Sequence, residues 1–156
     1  MRRRRAPKRK IIPDAKFGEI IVTRFVNRLM ENGKKSVVEK SVYQAFFIVE
    51  KKLKENGLDI FKKVLDNVTP RIEVRSRRIG GATYQIPVEV DERRGSALAL
   101  KWLKTAIQKS SGRNLAEKIF NAFADAIDNK GWAVKKREEV FKMAEANKAF
   151  AHYRWW

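Results

Sequence analysis

The sequence predicts a mainly α-helical fold: a single six-helix domain with one protruding β-hairpin between the third and fourth helices, plus a disordered basic N-terminal tail. Six segments repeat apolar residues at helical spacing, whereas residues 71–90 alternate polar and apolar residues on either side of Gly80-Gly81. Seven of the first ten residues are basic, and such a run repels itself. We therefore expect a tail at 1–12 and one helical domain at 13–156.

The first three helices are predicted at 15–32, about 36–56 and 58–68. Asp14 is the expected cap of the first helix, and Asn32-Gly33 is its expected stop. The predicted inward-facing residues of these helices are Phe17, Ile20, Ile21, Phe25, Val26, Leu29, Val38, Val42, Ala45, Phe46, Val49, Leu53, Leu58, Phe61 and Leu65.

The hairpin arm at 71–90 has two possible registers. A two-residue Gly80-Gly81 turn places Val74 opposite Pro87, whereas a three-residue loop from Gly80 to Ala82 places Val74 opposite Val88. We favour the longer loop because it gathers the apolar residues on one face, and one residue of slip exchanges the faces. The other face would then carry Arg71, Glu73, Arg75, Arg77, Gln85 and Glu89.

The last three helices are predicted at 92–109, 114–129 and 132 to about 149, with Asp91 as the cap of the fourth helix. Their expected inward residues include Leu98, Trp102, Leu103, Ala106, Ile107, Leu115, Ile119, Ala122, Phe123 and Ile127. An isolated hairpin is marginally stable in water, so we expect the arm to pack on something.

The net charge of +18 predicts a strongly anionic partner, most simply nucleic acid. The sequence has no cysteine, one histidine (His152) and no phosphate-loop, zinc-protease or nucleophile-elbow motif, so we expect no enzyme, no cofactor and no metal site. No apolar run approaches the ~18 residues of a membrane span, which makes the cytoplasm the default location. The basic tail is also compatible with a nuclear-localisation signal.

Three helix starts carry cations that oppose the helix dipole unless a phosphate binds there. These cations are Lys34-Lys35, Arg93-Arg94 and Lys135–Arg137. The alternative is that they are ordinary surface residues whose positive charge is partly offset by neighbouring glutamates. The hairpin arginines likewise either meet a polyanion or are merely solvated. At the C-terminus, Tyr153, Trp155 and Trp156 either stack on unpaired bases or tuck against the helical core.

Four long motifs resemble the bacterial small-subunit ribosomal protein S7 family over essentially the whole chain. They are residues 32–36, 74–90, 133–138 and 143–155. The resemblance implies a structural, non-catalytic protein that binds the 3′ major domain of 16S ribosomal RNA and nucleates assembly of the 30S head. It also implies exit-site transfer RNA and messenger RNA nearby, and proteins S9 and S11 as neighbours.

Carried over by motif, the candidate contacts form two sets. The ribosomal RNA set is Arg2, Arg3, Arg4, Arg5, Lys8, Arg9, Lys10, Lys34, Lys35, Arg75, Arg77, Arg78, Gly80, Gly81, Arg93 and Arg94. The set near transfer and messenger RNA is Arg78, Gly80, Gly81, Lys135, Lys136, Arg137, Lys148, Tyr153, Arg154 and Trp155. Residues 110–114 and Trp156 depart from the family pattern and inherit no role.

A different class of protein also carries an arginine-bearing β-arm. Architectural DNA-bending proteins insert such an arm into the minor groove, usually with an apolar or proline wedge near its tip. In this chain the tip is Gly80-Gly81, and the hairpin proline, Pro87, lies towards the base. The sequence therefore favours ribosomal RNA over duplex DNA.

Overall fold

The computed structural model describes residues 4, 6 and 9–153. Six α-helices and one two-stranded antiparallel sheet form this part of the chain, and the hairpin lies between the third and fourth helices as predicted. The elements are α1 (Ile20–Leu29), α2 (Lys35–Leu53), α3 (Gly57–Val68), β1 (Ile72–Ile79), β2 (Ala82–Glu89), α4 (Glu92–Lys109), α5 (Leu115–Ile127), α6 (Gly131–Ala146) and a terminal 3₁₀ helix (Lys148–Tyr153).

Four phenylalanines from four helices form the centre of the core. Phe61 stands 4.9 Å from Phe25, 5.6 Å from Phe46 and 5.6 Å from Phe123 between ring centroids. All four side chains are buried. Aromatic rings at these separations gain stabilisation beyond the burial of their area. The cluster joins α1, α2, α3 and α5 into one unit, as the predicted inward faces require.

The first helix begins later than predicted. Asp14 caps a separate turn, because its Oδ2 accepts hydrogen bonds from the backbone N–H groups of Lys16 and Phe17 at 3.1 Å each. Gly18 then takes a φ of +68°, which ends that turn before α1 starts at Ile20. Asp14 Oδ1 also accepts a hydrogen bond from the Tyr43 hydroxyl at 2.8 Å, which fixes the turn to α2.

Two residues assigned to the core are partly exposed. Ile20 is 42% exposed and Leu53 is 40% exposed, because they lie in the first turn of α1 and the last turn of α2. Helix α2 ends earlier than predicted, since Lys54 adopts the left-handed conformation at φ 57°. Helix α4 has the predicted bounds, although the side chain of Asp91 makes no capping hydrogen bond.

The favoured hairpin register is wrong. The strands pair Ile72 with Glu89, Val74 with Pro87 and Arg77 with Tyr84, around a two-residue turn. Gly80 and Gly81 have φ values of +56° and +92°, and the turn that matches strand twist in a two-residue hairpin requires positive φ at both positions. Turn geometry therefore decides the register, against the apolar pattern.

The register places arginines and apolar residues on the same face. Glu73, Arg75 and Arg77 alternate on β1 opposite Val88, Ile86 and Tyr84 of β2, instead of occupying the solvated side. Ile86 is 1% exposed on this face, and β1 and β2 pack against α6 and the 3₁₀ helix respectively. The expectation that the arm packs on something is confirmed, but its partner is the C-terminal part of the chain.

Glu73 is the buried ionic group that makes this face possible. Its carboxylate pairs with Arg75 of the same strand and accepts a hydrogen bond from Nε of Arg94 at 3.2 Å. The carboxylate side chain is 11% exposed, whereas both guanidinium groups remain more than half exposed. The hairpin base is thereby tied to the first turn of α4 without burying an unpaired charge.

We predict that Tyr43→Phe lowers the free energy of unfolding by about 1 kcal/mol at neutral pH, because Asp14 loses a charge-assisted hydrogen bond. Burial, followed by the bond to Asp14, raises the pKa of Tyr43 to about 12. Because the pKa of the phenol is higher in the folded chain than in the unfolded chain, its contribution to stability is full when the pH is below the unfolded value of about 10. This contribution is lost as pH rises through 12.

Urea unfolding of both proteins between pH 7 and 12 measures this effect. The difference between wild type and variant should shrink above pH 10. Tyr84→Phe is the control, since the Tyr84 hydroxyl makes no hydrogen bond within the described residues. A difference that stays constant to pH 12 would contradict the role assigned to the Tyr43–Asp14 bond.

We predict that Glu73→Gln destabilises the chain by about 1 kcal/mol, which is less than the loss of a fully buried ion pair, because water reaches both arginines. Amide hydrogen exchange should speed up most in β1 and β2. Glu55→Gln is the matched control, since Glu55 pairs with Lys63 on an open surface. Equal effects of the two substitutions would refute the anchoring role.

Candidate nucleic-acid interface

A strongly basic concave surface lies between α1 and α4, and we call it the basic groove. It has a volume of about 710 Å³. Five cationic side chains line it, and no carboxylate does among the residues that the structure describes. The described residues that line it are Ile11, Arg24, Asn27, Arg28, Arg93, Ser96, Ala97, Leu100, Lys101, Lys104, Thr105 and Gln108.

Helical periodicity explains the convergence of these cations. Arg24 and Arg28 lie one turn apart on α1, and Lys101 and Lys104 lie three residues apart on α4, so each pair projects from one side of its helix. The opposite sides carry Val26 and Leu103, which are buried in the core. Burial of the apolar stripes therefore turns both basic stripes towards the same groove.

Four of the groove cations were missed in the sequence analysis: Arg24, Arg28, Lys101 and Lys104. The signal that could have identified them is the helical spacing of basic residues opposite the apolar stripe. The predicted sites are instead runs of consecutive cations. Arg93, a predicted ribosomal RNA contact, lines the groove. The i,i+4 pair on α1 could have been found, but its alignment with α4 depends on tertiary packing.

The N-terminal segment leads directly to the basic groove. The Thr23 hydroxyl donates a hydrogen bond to the carbonyl oxygen of Ile12 at 3.0 Å, which fixes this segment against α1. Ile11 lines the groove, and the exposed residues Arg9 and Lys10 immediately precede it. Tail and groove are therefore neighbouring parts of one basic surface.

The predicted cations at helix starts have different environments. Lys34 occupies the N-cap position of α2, and Arg93 and Arg94 lie in the first turn of α4. Helix α6 begins at Gly131, so Lys135, Lys136 and Arg137 lie in its second turn. The expected positions of the cations near the starts of α4 and α6 therefore agree with the structure, and phosphate binding at these positions stays a prediction.

Several of these cations bind groups of the chain itself. Lys35 pairs with Glu39, and Lys136 pairs with Glu139 at 2.9 Å. Arg137 donates a hydrogen bond to the carbonyl oxygen of Asn67. Arg137 therefore connects α6 to the end of α3, and a phosphate would have to compete with that contact.

The hairpin arginines divide into anchored and exposed groups. Arg77 donates a hydrogen bond from Nη1 to the carbonyl oxygen of Tyr153 at 2.6 Å, and Arg75 binds Glu73. Arg78, Gly80 and Gly81 are exposed at the tip. The tip therefore presents a cation and open backbone, while the arginines nearer the base also hold the arm in place.

The C-terminal aromatic residues pack against the hairpin. Tyr84 lies 5.2 Å from Phe150 and 5.5 Å from Tyr153 between ring centroids. His152 is exposed and lies 4.0 Å from the ring of Tyr153. Tyr153 therefore packs against the arm, a contact that neither interpretation of this segment specified, and stacking on unpaired bases stays a prediction.

Six of the predicted contact residues lie outside the described residues: Arg2, Arg3, Arg5, Lys8, Arg154 and Trp155. The others are spread over several surfaces: the basic groove, the hairpin, the start of α2, the α6 helix and the 3₁₀ helix. Lys148 is exposed in the 3₁₀ helix beside the hairpin. Within residues 4, 6 and 9–153, no cluster of ligating side chains could hold a metal ion, and no helix is long and apolar enough to cross a membrane.

Comparison with known proteins identifies the family. A model of the family described as "Ribosomal protein S7p/S5e" matches residues 1–148. Three similar proteins, each named small ribosomal subunit protein uS7, come from Caulobacter sp. (strain K31), Bradyrhizobium sp. (strain BTAi1 / ATCC BAA-1182) and Methylobacterium nodulans. They are 57%, 55% and 53% identical to the chain, and each alignment covers 99% of both proteins.

These relatives agree with the resemblance drawn from the four motifs. They are ribosomal proteins and not enzymes, which confirms the non-catalytic interpretation. Both the matched length and the level of identity exclude a local likeness confined to the hairpin. The chain belongs to the ribosomal protein S7p/S5e family.

Proposed function

We propose that the chain is a structural constituent of the small ribosomal subunit in the cytoplasm and acts by binding 16S ribosomal RNA in its 3′ major domain. In this role it nucleates assembly of the 30S head. The observation that carries the proposal is the basic groove, where five cations converge without a lining carboxylate among the described residues. Such a surface matches the regular charge of a nucleic-acid backbone.

The N-terminal tail extends this surface. Residues 1–12 carry seven basic side chains, and residues 11 and 12 are held beside the groove. A tail tethered at that point stays near the RNA that the groove binds, so its phosphate contacts form at high effective concentration. We therefore assign the tail and residues 13–156 to one RNA-binding surface.

The hairpin tip and the C-terminal segment form a second proposed contact region. Arg78, Gly80 and Gly81 are exposed at the tip of the arm, and Lys148 lines a depression together with Ile72 and Pro87 near the base of the arm. We assign this end to the neighbourhood of exit-site transfer RNA, messenger RNA and proteins S9 and S11. Its support is the resemblance of residues 74–90 and 143–155 to the family motifs.

The architectural DNA-binding alternative has less support. Its wedge would have to lie at the arm tip, where the chain has Gly80-Gly81, and Pro87 pairs with Val74 near the base. Equal affinity for duplex DNA and an RNA fragment of the 3′ major domain, measured at matched salt, would favour that alternative.

We predict that the double variant Arg24→Gln/Arg28→Gln weakens binding to the 3′ major domain fragment. The binding constant falls as salt rises, and we treat duplex RNA as a polyelectrolyte comparable to duplex DNA. Each lost phosphate contact should then make the slope of log binding constant against log salt concentration shallower by about 0.9. Filter binding between 50 and 200 mM salt measures this slope. Over that range, roughly 6–10 phosphate contacts change affinity by roughly 10³–10⁵.

The matched control is Lys51→Gln/Lys52→Gln, which removes the same charge from α2. These lysines lie over Phe47 and Phe120 and do not line the basic groove. Their loss should change binding much less than the loss of the groove arginines. Equal effects would mean that net charge alone drives binding and would refute the assignment of the groove.

We predict that deleting residues 1–10 flattens the salt dependence of RNA binding and leaves the helical fold intact. The deletion removes seven cations, and the described fold begins with the segment held to α1 at residue 12. Circular dichroism checks the fold, and filter binding checks the slope. A lost fold would show that the tail is part of the domain, and an unchanged slope would show that it makes no phosphate contacts.

A further inference from the structure

A second depression adjoins the basic groove, and we call it the apolar pocket. It has a volume of about 320 Å³ and shares Lys104 and Gln108 with the groove. Its lining is Leu29, Glu31, Lys34, Val37, Val38, Lys104, Ile107, Gln108, Leu115 and Lys118. The pocket therefore continues the basic surface towards the first turns of α2 and α5.

The walls of the pocket are apolar and its rim is cationic. Leu29, Val38 and Ile107 contribute buried side chains, and Val37 leaves 59% of its surface exposed beside them. Lys34, Lys104 and Lys118 stand around the opening. An exposed apolar wall surrounded by three cations suits a ligand that has a flat hydrophobic body and an anionic linkage.

Two polar groups give the pocket a hydrogen-bonding edge. Glu31 Oε1 accepts a hydrogen bond from Nε2 of Gln108 at 3.1 Å and lies 3.2 Å from Nζ of Lys104. The Gln108 amide donates through its nitrogen, so its carbonyl oxygen stays available as an acceptor. Both Glu31 and Gln108 thus offer acceptors to a ligand that carries an amino group.

We propose that the apolar pocket binds one unpaired nucleobase of the RNA held in the basic groove, with a preference for a base that has an exocyclic amino group. The inference rests on the proposed RNA-binding function and names the ligand of this adjoining site. The base would lie against Val37 and Ile107, while the phosphates on either side would meet the rim lysines.

The chemistry of the edge favours adenine over uracil. Adenine presents an amino donor at N6, where a pyrimidine of the thymine type presents the O4 acceptor. The Glu31 carboxylate facing O4 would leave lone pairs without a donor, and such mismatches reduce affinity. A volume near the lower end of the range for small-molecule pockets, ~300–1,000 Å³, suits one base and not a paired helix.

The test compares three RNA stems of about 16 base pairs, a length that spans successive grooves of the duplex. One stem is fully paired, one carries a single bulged adenosine and one carries a single bulged uridine. We expect the wild-type chain to bind the adenosine-bulged stem about tenfold more tightly than the paired stem. The uridine-bulged stem should fall between them.

Two variants separate the pocket from the groove. Val37→Ser removes an apolar wall without changing charge, and it should reduce binding of the adenosine-bulged stem to the level of the paired stem. Leu53→Ser, at the other end of α2, is the control because Leu53 is also partly exposed and lines neither depression. Glu31→Gln should bring the affinities of the two bulged stems closer together, while the paired stem binds at least as well.

The outcomes distinguish this inference from the proposed function. If the wild type binds all three stems equally, the pocket assignment is overturned and RNA binding by the groove stands. A bulge preference that survives Val37→Ser also overturns it, since flexibility of the bulged stem would then explain the preference. If no stem binds at low salt, both the pocket and the proposed function fail.

Discussion

The contact of four phenylalanines at the centre of the core is the interaction on which the remaining structure depends. Phe25, Phe46, Phe61 and Phe123 come from four helices and are buried together. Their packing fixes the rotation of α1 and, through α5, the position of α4. Each amphipathic helix carries an apolar stripe and an opposite polar face, so burying the apolar stripe also decides which cations face outward. The packing of the core therefore determines where the basic groove forms.

The hairpin follows a different physical rule, since the turn and an ion pair decide its geometry. Gly80 and Gly81 accept positive φ, which selects the two-residue turn and moves Arg75 and Arg77 to the packed face. That face is stable because Glu73 neutralises its neighbours and a backbone carbonyl accepts from Arg77. The same arginines that give the arm its basic sequence are therefore partly used to hold it on the domain.

Two kinds of basic surface result from this arrangement. The groove is built on two helices and adjoins an apolar pocket, which is why we propose that this surface binds both phosphate and base. The hairpin tip is a two-residue turn with exposed residues on either side, and we propose that it contacts a second partner. The proposed contacts would in this way let one chain of 156 residues connect separate parts of an assembly.

The sequence by itself determined the helical class, the place of the hairpin, the bounds of α4 and the polyanionic partner, because these depend on local periodicity, turn residues and net charge. Only the tertiary structure decided the hairpin register, the anchoring of Arg77 at Tyr153 and the meeting of Arg24 with Lys101 in one groove. Those features depend on φ angles at two glycines and on the relative rotation of packed helices. Neither quantity is expressed in the spacing of residues along one segment.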